Sequence, residues 1–178
     1  MYFLKFKLYF LKMRFKLLVI NIILCTFFNS FSFADDKTSG LNFYTGMFDF
    51  SDDGKRSTIY GIEHQNENLY RDTIFGRISP VTGAMITADN ATYVYTGIET
   101  NYSLGAINIT PSFTPGWYRQ GDGKDLGHPL EFKSEVQLSL DLSEGTNLGM
   151  SYNHVSNASL GDKNPGANSY MFNFLKRF

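Results

Sequence analysis

The sequence predicts an all-β protein, an eight-stranded antiparallel transmembrane β-barrel of the outer-membrane type. Three observations predict it. Turn signals divide the chain after residue 34 into eight segments of about ten residues, these segments alternate between apolar and polar side chains, and a run of alternating aromatic residues ends at Phe178. Strands of that length can cross a bilayer at a tilt. A soluble β-sandwich is the alternative, because alternation indicates only that one face of each strand is dry.

The first 34 residues are predicted to be a signal peptide that is removed from the mature protein. Five basic residues and no acidic residue accompany a mostly apolar run at 17–28. That run is shorter than the roughly 20 residues that a spanning helix needs. Ser32 and Ala34 supply the small residues that a signal peptidase reads. A short membrane anchor is the alternative. We expect residues 35–178 to form a single β-barrel domain in the cell outer membrane.

The eight strands are expected where alternating segments lie between clusters of turn-forming residues. The sixth segment alternates most clearly, with Leu138 and Leu140 on one face and Gln137 and Ser139 on the other. Residues 80–88 are the least clear part of the chain and either extend the third strand or form a loop. The predicted strands cover residues 41–50, 57–65, 71–79, 91–101, 105–117, 130–142, 147–156 and 168–178.

Composition and charge narrow the expected partners. The mature segment has no cysteine, so disulfides play no part. Five of the 16 Lys and Arg residues lie in the leader. The mature segment therefore has 11 basic and 17 acidic residues, and this excess of negative charge argues against a nucleic-acid partner. His64 and His128 lack partners at metal-ligand spacing, so neither a metal nor a cofactor is expected. The terminal aromatic Phe178 resembles a sorting signal, which makes the barrel-assembly machinery an expected partner.

The seventh strand carries two hydrogen-bonding side chains on its lipid-facing side. Met150 and Tyr152 set that side, and the same parity places His154 and Ser156 on it, near the extracellular end. Side chains two apart lie ~7 Å from each other along a strand. An imidazole and a hydroxyl can bridge that gap, so His154 can take a proton from Ser156. The alternative is a polar pair without a chemical role, since the interfacial band tolerates even Arg or Lys at about 0–1 kcal/mol.

The residues around this pair are similar to the signature of a known family. The run from His154 to Asn168, HVSNASLGDKNPGAN, resembles that of the lipid A 3-O-deacylase (PagL-type) outer-membrane family. The resemblance covers most of residues 93–178. Further segments that look like the family's pattern lie at 111–118, 125–127 and 130–132.

The resemblance implies a serine esterase that removes an acyl chain of lipid A, the membrane anchor of lipopolysaccharide, from the outer leaflet by 3-O-deacylation. It implies that Ser156 is the nucleophile and that His154 acts first as base and then as acid. Asn164 and the backbone N–H groups near Ala158 are the expected donors to the oxyanion. Asn157 has lumen parity, so we expect it to support the loop instead of touching substrate.

The triad acid of the family falls on Asn168, which is an amide in this chain. Asn168 shares the lipid face with His154, so it can accept a hydrogen bond from the imidazole and hold it in place. It cannot supply the negative charge that stabilises an imidazolium, and the same replacement in a serine protease costs about 10⁴-fold. The enzyme is then slow, recruits Asp162 from the loop, or has lost activity. The alternative function is a non-enzymatic structural or lipopolysaccharide-binding outer-membrane barrel.

Overall fold

A computed structural model describes residues 32–33 and 39–178 of the chain. The predicted signal peptide, residues 1–34, lies outside the described residues except for Ser32 and Phe33. No helix long and apolar enough to span a membrane occurs among the residues that are described.

The described chain is built from β-strands. Their bounds are β1 (Ser32–Phe33), β2 (Ser39–Phe48), β3 (Ser57–Asn66), β4 (Leu69–Thr73), β5 (Gly76–Thr87), β6 (Thr92–Thr100), β7 (Tyr102–Leu104), β8 (Ile107–Arg119), β9 (Leu130–Ser143), β10 (Thr146–Ser156) and β11 (Ala167–Arg177).

Eight of these strands form a closed antiparallel ring. Going around it, β2 pairs with β3, then β5, β6, β8, β9, β10 and β11 follow, and β11 pairs back with β2. The short strands β4 and β7 pair with the ends of β5 and β8, and β1 pairs with β4. Closure leaves no barrel strand with an open edge, as a lipid environment requires. The predicted eight-stranded antiparallel barrel is therefore confirmed.

The third barrel strand is β5, which covers most of the uncertain segment 80–88. The alternative in which this segment extends the third strand is therefore confirmed, and the predicted start of that strand at residue 71 was wrong. The reversal expected between the predicted strands 57–65 and 71–79 is also wrong, because the chain continues in β4 and turns at 74–75.

The chemistry of that turn explains the error. The hydroxyl of Thr73 accepts a hydrogen bond from the Phe75 backbone N–H at 3.1 Å and donates one to the Gly76 carbonyl at 2.9 Å. Gly76 adopts a φ of +97°, which favours glycine. Ile74 and Phe75 gave the segment the apolar character of a strand, but both are exposed at the turn. A polar residue and a glycine at the ends of the turn outweigh its two apolar central residues.

The two faces of the barrel wall differ in polarity as the alternation predicts. In β9, Leu138 and Leu140 are exposed, whereas Gln137 and Ser139 between and beside them are buried. An exposed apolar outer wall is favourable only in an apolar medium. The wall is therefore suited to contact with lipid acyl chains.

The inward-facing side chains include a buried lysine between two carboxylates. Lys133 is 1% exposed, and its Nζ lies 3.3 Å from Glu63 Oε2 and 3.1 Å from Glu135 Oε2. The same ammonium lies 4.1 Å from the ring centroid of Tyr95, whose hydroxyl donates to Glu63 at 2.9 Å. These contacts pair the buried ammonium with both carboxylates of this cluster.

Candidate active site

The pairing of β10 with β11 brings His154 and Asn168 together. The two residues are direct cross-strand partners, and both side chains project from the outer wall. The imidazole Nδ1 lies 2.8 Å from Asn168 Oδ1. Because the amide oxygen can only accept, Nδ1 carries the proton and Nε2 is the unprotonated nitrogen of the neutral ring. That is the tautomer a general base needs.

Ser156 is the last residue of β10 and lies two residues beyond His154 on the same face. It is half-buried, whereas His154 is exposed. In the described part of the chain, its hydroxyl makes no hydrogen bond with the imidazole. Catalytic hydrogen bonds of this kind often tighten only in the complex with substrate.

The amide of Asn168 is the centre of a wider hydrogen-bond network. Its Oδ1 also accepts from the Tyr152 hydroxyl at 2.9 Å, and its Nδ2 donates to Ser51 Oγ at 3.2 Å. Its backbone N–H donates to Asp49 Oδ1 at 3.4 Å. Two of these bonds fix the side-chain amide that holds the imidazole, and the third fixes the backbone of the same residue.

The loop that follows Ser156 begins with a tight turn in an unusual backbone conformation. Ala158 and Ser159 have φ values of 51° and 61°, and the Leu160 N–H donates to the Asn157 carbonyl at 3.0 Å. Two consecutive positive φ angles inside a four-residue hydrogen-bonded turn are typical of a type I′ turn, which usually contains glycine or asparagine. Ala158 is therefore held in a strained conformation beside Ser156, as is common at functional sites.

Asn157 and Asn164 hold the two ends of this loop together. The Asn157 backbone N–H donates to Asn164 Oδ1 at 3.0 Å. The Asn157 side chain is fully buried, and its Nδ2 donates to the Leu126 carbonyl at 2.7 Å and to the Lys163 carbonyl at 2.9 Å. One amide thereby ties the β10–β11 loop (157–166) to the β8–β9 loop (120–129).

Gly166 lies directly against the imidazole. A Cβ at this position would be 2.8 Å from His154 Cε1 and 3.2 Å from Nε2, and the residue has a φ of 62°. Glycine is therefore needed here both for the backbone conformation and for the space that the ring occupies.

An exposed ion pair connects the same two loops on their outer side. Lys163 Nζ lies 2.6 Å from Asp125 Oδ2. The hydrogen bond from Lys163, helped by one from the Gly127 backbone N–H, lowers the pKa of the Asp125 carboxyl below its usual value.

The structure places the sequence-predicted residues in two groups. His154 and Asn168 contact each other on the outer wall, with Ser156 close by in sequence, while Asn157 and Asn164 bond to each other at the base of the loop. Asp162, the alternative source of a triad carboxylate, is exposed. Among the described residues it makes no hydrogen bond or ion pair with the imidazole.

Four further residues contact the site and were not expected to do so. The parity of β10 places Tyr152 on the same face as His154, so the sequence does contain a signal for a contact of the Tyr152 hydroxyl with the site. Asp49 and Ser51 belong to the loop after β2 and are 117 or more residues from Asn168 in sequence, where no local pattern indicates contact. Gly166 follows Pro165, a pair that is typical of a tight turn, so the sequence does not indicate its contact with the imidazole.

A closed eight-stranded antiparallel barrel with an apolar outer wall defines an outer-membrane β-barrel protein. The pattern of one family of such proteins, described as lipid A 3-O-deacylase (PagL), matches residues 38–177. The chain belongs to this family of lipid A deacylases.

Solved structures show the same fold. The crystal structure of the outer membrane enzyme PagL aligns with a TM-score of 0.59 and 17% identity, covering 77% of this chain and 98% of that chain. A de novo designed transmembrane β-barrel aligns with a TM-score of 0.52 and 7% identity, covering 82% and 99%. At these identities the likeness concerns the fold alone. No curated protein sequence gives a significant match.

Proposed function

We propose that the protein is a serine esterase that hydrolyses an ester-linked acyl chain of lipid A, by 3-O-deacylation in the outer leaflet. The main support is the imidazole of His154, which is exposed on the apolar outer wall and bonded at 2.8 Å to Asn168, with Ser156 on the same face. A lipid ester can reach such a wall by lateral diffusion, without entering the filled barrel.

The proposed reaction has two halves. In the first, Ser156 Oγ attacks the acyl carbonyl while its proton passes to His154 Nε2, and the imidazolium then protonates the departing sugar oxygen. In the second, His154 takes a proton from the water that attacks the acyl-serine, and the imidazolium then returns a proton to Ser156 Oγ as the fatty acid leaves. The Asn168 oxygen keeps the proton of His154 on Nδ1 throughout.

The tight loop after β10 is the proposed source of oxyanion donors. The Asn164 Oδ1 atom is already occupied by the Asn157 backbone N–H, which orients the amide and leaves its Nδ2 group as the donor for substrate. The backbone N–H of Ala158 is held close to Ser156 by the strained turn. Donors that are fixed before the reaction stabilise an oxyanion without reorganisation.

Mass spectrometry of lipid A from cells that express the protein tests the proposal. The wild type is expected to remove one ester-linked fatty acid, and Ser156→Ala and His154→Ala are each expected to abolish this loss. Deletion of the nucleophile or the base typically costs several orders of magnitude in rate. Heat-modifiable migration on gels shows whether each barrel is folded.

Matched controls are available at the other end of the barrel. Ser143, at the end of β9, and His64, near the end of β3, lie away from β10's last residues, so Ser143→Ala and His64→Ala are expected to keep full activity. Lipid A that is unchanged by a folded wild type would instead favour the non-enzymatic lipopolysaccharide-binding barrel. The neutral Asn168 is the observation that favours this second candidate.

Two proposals concern the route to the membrane. We infer that residues 1–34 are a cleaved signal peptide and that the barrel-assembly machinery recognises the last strand through Phe178. The support is the alternation of β11, in which Tyr170, Phe172 and Phe174 face outward. Deletion of Phe178 is then expected to reduce the amount of folded barrel in the outer membrane.

A further inference from the structure

A buried carboxylate lies behind the neutral amide of the site. Asp49 is 1% exposed and belongs to the loop between β2 and β3, residues 49–56. Its Oδ1 accepts from the Asn168 backbone N–H and from the Ser51 hydroxyl, both at 3.4 Å. The Ser51 hydroxyl in turn accepts from Asn168 Nδ2 at 3.2 Å.

These bonds form one continuous chain with a single direction. His154 Nδ1–H donates to Asn168 Oδ1, Asn168 Nδ2–H donates to Ser51 Oγ, and Ser51 Oγ–H donates to the carboxylate. Hydrogen bonds aligned in this way polarise one another. The anion at the end of the chain therefore increases the negative charge on the amide oxygen that faces the imidazole.

We propose that Asp49 is a positioning residue for the deacylase reaction. Through Ser51 and Asn168, Asp49 supplies at the imidazole the negative potential that a triad carboxylate supplies directly. This inference rests on the proposed function. It explains how an amide can occupy the acid position without the full loss expected of that replacement.

Asp49 shares its ammonium partner with a second carboxylate of the same loop. Lys124 Nζ lies 2.5 Å from Asp49 Oδ2 and 3.4 Å from Asp52 Oδ2. One ammonium thus faces two carboxylates. Lys124 occupies the Oδ2 atom and leaves Oδ1 to the chain of bonds that ends at His154.

The backbone holds Asp49 firmly against β11. The next residue, Phe50, donates its N–H to the Asn168 carbonyl at 2.9 Å, and its ring packs 5.5 Å from Tyr170 and 6.2 Å from Tyr152. Asp49 itself has a φ of 51°, a conformation that asparagine adopts as readily as aspartate. Asp49→Asn therefore removes the charge while keeping the shape and the backbone.

A double-mutant cycle tests the inference. The kcat and KM for lipid A deacylation in detergent micelles are measured for wild type, Asp49→Asn, Asn168→Glu and the double variant. In the wild-type background we expect Asp49→Asn to lower kcat about tenfold, equivalent to about 1.4 kcal/mol, with little change in KM. In the Asn168→Glu background, where a carboxylate contacts the imidazole directly, the same change is expected to have less than a twofold effect.

Asp52→Asn is the matched control. Asp52 contacts the same Lys124 from the same loop, and among the described residues it has no hydrogen bond with Asn168. It is expected to retain kcat. Equal losses for Asp49→Asn in both backgrounds would mean that Asp49 merely supports the loop, and this would overturn the inference.

The outcomes also separate this inference from the proposed function. If Ser156→Ala abolishes activity but Asp49→Asn leaves kcat unchanged, the esterase proposal stands and the role of Asp49 is refuted. If the folded wild type is inactive, or Ser156→Ala remains active, both fail. Heat-modifiable migration of every variant on gels excludes unfolding as the cause of a lost activity.

Discussion

Gly166 illustrates how closely the backbone of the β10–β11 loop approaches the base. The space that its side chain would fill is occupied by the imidazole ring of His154. The loop therefore limits the rotation of the ring on one side, while the Asn168 amide holds Nδ1 on the other. Both restraints act on a side chain that is otherwise exposed.

Replacement of this glycine tests the restraint. Gly166→Ala is expected to displace the imidazole and lower deacylation activity at least about tenfold, the effect of roughly 1.4 kcal/mol on the barrier. Gly105→Ala is the control, because Gly105 has a similar φ of 66° and no atom within 4 Å of the added Cβ. Both variants bear the backbone cost of about 1–2 kcal/mol, so a difference in activity reports the contact with His154. Equal activities would show that the contact does not matter.

Single residues also show how far the sequence predicts the site. Strand parity is a local property, so it places His154, Ser156 and Asn168 on one face without knowledge of the fold. Asp49 and Ser51 reach the same amide only because β2 and β11 close the barrel. Contacts made by closure have no period and no nearby motif, and they cannot be read from one sequence.

At the level of elements, the two long loops at one end of the barrel behave as a connected pair. The buried Asn157 amide joins them on the inside, and the ion pair of Lys163 with Asp125 joins them on the outside. Gly127 allows the close contact, since a Cβ there would lie 2.3 Å from the Lys163 carbonyl oxygen. The loop that carries the proposed oxyanion donors is thus supported by its neighbour.

The exposed ion pair gives this support a defined pH dependence. The pKa of Asp125 is lowered in the folded protein. The contribution of this carboxylate to the stability of the folded state is therefore complete above the usual pKa of 3.8 and is lost as the pH falls through the lowered pKa. Lys163→Met is expected to move the pKa of Asp125 upward, measured by ¹³C NMR of labelled aspartate in detergent micelles. Lys55→Met, in the β2–β3 loop, is expected to leave it unchanged. An unshifted pKa in Lys163→Met would contradict the assigned cause.

Most element boundaries follow from the sequence because an antiparallel barrel is made of local hairpins. The exception, β4 and β5, shows where this reasoning fails. Thr73 and Gly76 form a turn around two apolar residues. The composition of this segment is typical of a strand, although the chain reverses its direction there. Only the register of β4 against β5 reveals it.

On the scale of the whole molecule, the buried ion cluster is the main electrostatic element of the barrel interior. Lys133→Met would leave Glu63 and Glu135 without their shared cation, and breaking a buried pair from one side costs about 3–5 kcal/mol. We expect a reduction of that size in the free energy of unfolding, measured by guanidinium titration in detergent. Lys176→Met, on an exposed lysine of β11, should change it by less than about 0.5 kcal/mol.

A triple variant distinguishes charge from packing. Combining Lys133→Met with Glu63→Gln and Glu135→Gln removes all three charges while keeping similar volumes, and most of the lost stability should return. Persistent destabilisation of the triple variant would show instead that the lysine acts through its packing on Tyr95.

The filled interior also bears on permeability. Tyr93 and Tyr95 stack at 5.2 Å beside the buried lysine, and all three side chains are at most 2% exposed. A hydrated ion moving along the axis would have to separate a charge cluster that is held by several hydrogen bonds. In a planar bilayer under voltage, the barrel should therefore have no conducting pore and carry no steady current.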